Sequence, residues 1–126
     1  MSITAAFMAS GLLAVLALFQ AALAMGAPIG QFAWGAQHRV LPPNLRIGSA
    51  VAVAIYAVFA LLIGQRAGLV AWLPAGVVDV GIWVVLTYLA LGTVANAISR
   101  SVLERLTMTP VCLVLAGLVL IVAMGW

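Results

Sequence analysis

The sequence predicts an all-α polytopic membrane protein, a bundle of four transmembrane helices forming one domain over residues 1–126. Four apolar runs, 3–25, 47–64, 67–99 and 106–126, take up most of the chain, and Asp79 is the only charged side chain inside any of them. A spanning helix needs roughly 20 apolar residues with few or no charges, and every run approaches or exceeds that length. Composition agrees, because 67% hydrophobic and 6% charged residues with a mean hydropathy of +1.35 leave too little polar surface to coat a water-soluble core.

The first helix is expected over about 3–25. Ala22-Leu23-Ala24 has the small-x-small form of a signal-peptide cleavage site, but no Lys or Arg precedes the run and the run exceeds a signal core, so retention is expected. A connection over 26–44 follows, with three glycines, three prolines, Phe32 and Trp34. Such density of helix breakers predicts an interfacial segment at the membrane surface. The alternative is a re-entrant segment whose freed backbone lines a cavity.

Pro42-Pro43-Asn44 opens the second helix, expected over 45–64. The third run is too long for one crossing, and Pro74 divides it into an interfacial turn over 67–73 and a third helix over 74–99. Thr109-Pro110 reads as a cap followed by proline at the first helical position, which places the fourth helix over 109–126. Ser101 and Glu104 have capping-box spacing as well, and Arg100 and Glu104 stand four apart, as an ion pair on one helical turn would.

The net charge of +3 comes from five arginines against Asp79 and Glu104, and each arginine lies at or near the end of an apolar run. The basic balance therefore describes membrane flanks and excludes nucleic acid as a partner. Arg39 and Arg46 fall in the first connection, Arg100 and Arg105 in the third, and Arg66 in the second. Counted by the positive-inside rule, the first and third connections are cytoplasmic and both termini outside, in a bacterial inner membrane.

Small residues at helical spacing mark faces where helices approach closely. Ser10, Ala14, Ala17, Ala21 and Ala24 form such a stripe on the first helix, and Ala50, Ala54, Ala57 and Ala60 one on the second, leaving Leu61, Leu62 and Ile63 to lipid. The third helix has two distinctive sides, Gly76, Asp79, Trp83, Thr87, Ala90, Val94 and Ala97 against Gly81, Tyr88, Gly92 and Asn96. It is expected to be the most buried of the four, and the fourth the most lipid-exposed. A homo-oligomer, most simply a dimer, is expected through one small-residue face.

Catalytic chemistry is poorly supplied by one His, one Cys, one Asp and one Glu without lysine. No catalytic residue, cofactor or metal site is expected, since His38 lacks ligand partners at metal spacing and Cys112 is the sole thiol. Asp79, Thr87, Gln20 and Asn96 are candidates for a polar or ion path, with interhelical packing as their plainer use. Trp34, Gln37, His38, Arg39, Arg46, Arg100 and Arg105 are candidates for contact with a partner or with anionic lipid headgroups. Asp79 and Arg66, on the same membrane side, are expected to pair across the second connection.

The segments Gly30-Gln31-Phe32-Ala33-Trp34-Gly35, Gln37-His38-Arg39-Val40-Leu41-Pro42 and Leu45-Arg46-Ile47-Gly48-Ser49, with Met108-Thr109-Pro110, resemble a group of small four-helix bacterial membrane proteins. The resemblance implies the four-span architecture and carries over no catalytic or binding residue. The functional expectation is a structural or accessory membrane subunit, with a small transporter or channel and a lipid-interacting protein as alternatives. A solid bundle would favour the first, a polar channel reaching Asp79 the second, and a groove open to lipid beside the arginines the third.

Overall fold

The structure, a computed structural model, describes residues 1–33 and 38–126, the side chain of Gln31 apart. It is all-helical among these residues: α1 (Ser2–Ala24), a 3₁₀ turn (Gly30–Phe32), α2 (Pro43–Arg66), α3 (Ala75–Ala97) and α4 (Val102–Met124). All four α-helices are long and apolar enough to cross a membrane. At 23 or 24 residues each, they match in length at about 35 Å.

The fourth helix begins seven residues earlier than the sequence suggested. Ser101 is its N-cap, and its hydroxyl accepts from the Glu104 N–H at 3.1 Å, so the capping motif and not Thr109-Pro110 starts the helix. Pro110 lies inside α4. Such a proline is tolerated in a spanning helix when neighbours satisfy the backbone it frees.

α1 pairs with α2 and α3 with α4, α1 also packs on α4, and α2 meets α3 more sparsely. The main core lies toward the end that holds both termini. Its buried members stop at Leu13 on α1 and Leu89 on α3, and start at Phe59 on α2 and Leu115 on α4. There α3 presents Val78, Ile82, Val85 and Leu89, one face at steps of four and three. Leu62 and Ile63 are buried, contrary to their expected lipid exposure, because Leu62 fills the notch at Gly81, where a Cβ would lie 2.9 Å from its Cδ2.

The small-residue stripes of α1 and α2 face each other in part, with Ser10, Ala14 and Ala17 lining a shallow groove against Ala57 and Ala60, although the fully buried residues of α1 are Ala5, Ala6, Ala9, Leu13 and Leu23. One further expectation fails: α3 is the least buried helix of the four, with Gly76, Asp79, Trp83, Thr87, Ala90, Val94 and Ala97 all exposed. The 3.6-residue period identified a distinct side of α3; its apolar ridge of branched residues is the side that packs.

Candidate functional site

Toward the other end, which carries the first and third connections, the helices border a half-open chamber. Its walls are Gln20 of α1, Tyr56 of α2, Tyr88, Gly92 and Asn96 of α3, and Cys112 of α4, with Phe32, Ala33 and Glu104 at the connection side. Two overlapping cavities of about 370 and 410 Å³ make it up, and the second is bordered by exposed Leu91 and Ala95 of α3. The rings of Phe59 and Tyr88, edge to face at 5.1 Å, bridge α2 and α3 where the packed half begins.

The polar groups in the chamber are neutral apart from Glu104. Asn96 Nδ2 donates to Cys112 Sγ at 3.2 Å, and the Gln20 side chain faces the Tyr56 hydroxyl within hydrogen-bonding reach. Gln20 Oε1 is buried with no hydrogen-bond partner. A buried acceptor left unpaired is costly, so its position against an open volume marks a place where a donor would be gained.

Across a wall of Leu16, Phe19, Phe32 and Met108 lies a separate apolar groove of about 360 Å³ between α1 and α4. Phe32 reaches this wall because the first connection folds back on itself. Gly30 N–H donates to Arg39 O at 2.8 Å, and a Cβ at Gly30 would fall 1.9 Å from His38 O, so only glycine permits that approach. Leu23, Ala33 and Leu41 form a small second core beneath it.

The candidate ion path is divided. Gln20 and Asn96 line the chamber, whereas Asp79 and Thr87 border a shallow external depression with Trp83 and Val84. Thr87 Oγ1 donates to its own helix at Trp83 O, 2.9 Å away. The Asp79–Arg66 pair is not formed, because Arg66 Nη2 donates to Ala123 O at 2.7 Å and Asp79 is exposed. The arginine is drawn to the free carbonyls at the end of α4.

Arg46 acts similarly, with Nε donating to Ala24 O at the end of α1 at 2.9 Å, and Arg105 Nη1 donates to Ser99 O just beyond α3 at 3.2 Å. Of the candidates for headgroup or partner contact, Arg46 and Arg105 are thus engaged in holding helix ends. His38, Arg39 and Arg100 are exposed, and Trp34 and Gln37 lie outside the described residues.

Sequence reasoning missed Tyr56 and Cys112 as chamber residues and Gln65 as an organiser. Gln65 Oε1 accepts from Trp72 N–H at 3.0 Å and Leu73 N–H at 2.7 Å, its Nε2 donates to Leu73 O, and so it fixes the second connection. The available signal was the rarity of polar groups in α2, which makes each one worth placing. Among the described residues, no three His, Cys, Asp or Glu side chains are grouped to hold a metal ion. No family model, curated protein or solved structure matches this chain.

Proposed function

We propose that this chain is a lipid-interacting, multi-pass protein of a bacterial inner membrane that takes a small amphiphile from the bilayer into the chamber between its hairpins. The observation that carries this reading is a mostly apolar volume among the helices that holds a few polar side chains and is bordered by exposed Leu91 and Ala95 of α3. A ligand dissolved in the bilayer could enter there without crossing water. Pockets of several hundred Å³ with a few convergent polar groups are the usual form of small-molecule sites. Transport of a cation or proton along Asp79, Thr87, Gln20 and Asn96 is less well supported, since two of the four residues lie outside the chamber.

A structural or accessory subunit is the second reading, favoured by the exposed face of α3 that carries Asp79 and Thr87. A homodimer through that face belongs to the same proposal, because interhelical hydrogen bonds and small residues drive association in lipid. Its check is the mass of the detergent-solubilised particle with and without Ala90→Leu.

In the orientation we propose, the first and third connections are cytoplasmic, where His38, Arg39 and Arg100 would meet anionic headgroups. Single cysteines at His38 and Ala71 in a Cys112→Ser background test it with an impermeant thiol reagent on intact cells. Only Ala71→Cys should react, and the reverse pattern would invert the topology.

The amphiphile reading is tested by mass spectrometry of protein washed in detergent until annular lipid is removed. About one retained amphiphile per chain supports it. A chain that retains none and takes up none on addition of membrane lipid returns the accessory reading.

A further inference from the structure

Resting on the amphiphile reading, we infer that the ligand is a lipid with an uncharged hydroxyl head, bound by donating that hydroxyl to Gln20 Oε1. Gln20 Oε1 is buried and accepts no hydrogen bond, so a hydroxyl on an occupant would give it a donor. Around it the chamber offers neutral hydrogen-bonding groups, the hydroxyls of Tyr56 and Tyr88 and the amide of Asn96, which can serve a hydroxyl oxygen in return.

Among the described residues no arginine or histidine lines the chamber, so an anionic head would be desolvated there without a counter-charge. Among the described residues Glu104 is the one acid in the lining; it lies in the first turn of α4, at the connection end, and is already engaged. A cationic head seated at Gln20 would be poorly served. An ester or hydrocarbon head would fill the space but leave Gln20 Oε1 unpaired. The chain of the lipid would leave past the exposed Leu91 and Ala95 of α3.

The test uses four probes with one acyl-length chain: oleyl alcohol, oleate, oleylamine and methyl oleate. Each is titrated into the purified full chain in detergent, with affinity read by native mass spectrometry and by the rise in melting temperature that binding produces. Oleyl alcohol should bind best, and methyl oleate roughly ten-fold more weakly, the usual worth of one hydrogen bond. Gln20→Leu, which removes the unpaired acceptor and keeps the volume, should remain folded and bind oleyl alcohol and methyl oleate alike.

If oleate or oleylamine binds as tightly as oleyl alcohol, the neutral-head assignment is wrong while the amphiphile reading stands. Equal binding of oleyl alcohol and methyl oleate by the wild-type chain, or an alcohol preference that survives Gln20→Leu, removes Gln20 as the anchor. If none of the four binds, both the assignment and the amphiphile reading fall.

Discussion

Three of the five arginines end on backbone carbonyls at or just past the last turn of a neighbouring helix: Arg46 at Ala24, Arg66 at Ala123 and Arg105 at Ser99. The last carbonyls of a helix have no partner within it, and near lipid no water replaces one, so a guanidinium there satisfies both hydrogen bonding and the helix dipole. Arg66→Met should therefore lower stability in detergent by roughly 1.5 kcal/mol, whereas Arg39→Met at an exposed position should change it little, as judged by denaturant or thermal melts. Asp79→Asn should also leave the melting temperature within about 1 °C, because the acid is exposed and Arg66 is bonded elsewhere. A large drop would restore the ion pair. The sequence shows that arginines stand at the ends of apolar runs; which carbonyl each one reaches depends on neighbours brought together only by folding.

At the scale of elements, α4 shows how two valid local signals compete. Thr109-Pro110 and Ser101-x-x-Glu104 both describe a helix start, and the earlier one prevails because it gives α4 the length of its three partners. Ser101→Ala should cost about 1 kcal/mol and raise hydrogen exchange over the first turn of α4, and an unchanged exchange pattern would return the start to Thr109. The number of spanning helices and the division at Pro74 were readable, since length and hydropathy depend on the chain alone. The burial of α3 was not, because periodicity separates the sides of a helix without naming the neighbour each side meets. Its branched ridge Val78, Ile82, Val85 and Leu89 packs, and its more decorated side is left outward.

For the whole molecule, the organising fact is asymmetry along the bundle axis: closely packed toward the termini and hollow toward the first and third connections. Two glycines on α3 report on the two halves. A Cβ at Gly81 would press on Leu62 at 2.9 Å, whereas one at Gly92 would meet nothing within 4 Å. Gly81→Phe should thus destabilise by about 2 kcal/mol or more through overpacking, while Gly92→Phe should fold with an unchanged or higher melting temperature. Equal losses at both positions would mean that the chamber is not open volume. Gln20 and Asn96 were recognisable in the sequence as intramembrane polar residues, but their grouping with Tyr56, Tyr88 and Cys112, and their separation from Asp79, follow from how the two hairpins splay.

The central claim, that an amphiphile from the bilayer occupies this chamber, is tested most directly by where such a molecule sits. A fatty alcohol carrying a photoactivatable diazirine close to its hydroxyl would be added to the protein in a bilayer, irradiated, and its adducts mapped by peptide mass spectrometry. The account predicts adducts on the chamber residues Gln20, Tyr56, Tyr88 and Cys112, reduced by excess unlabelled alcohol. Adducts confined to the outer face of α3, at Trp83, Val84 and Thr87, and not displaced by competitor, would contradict it.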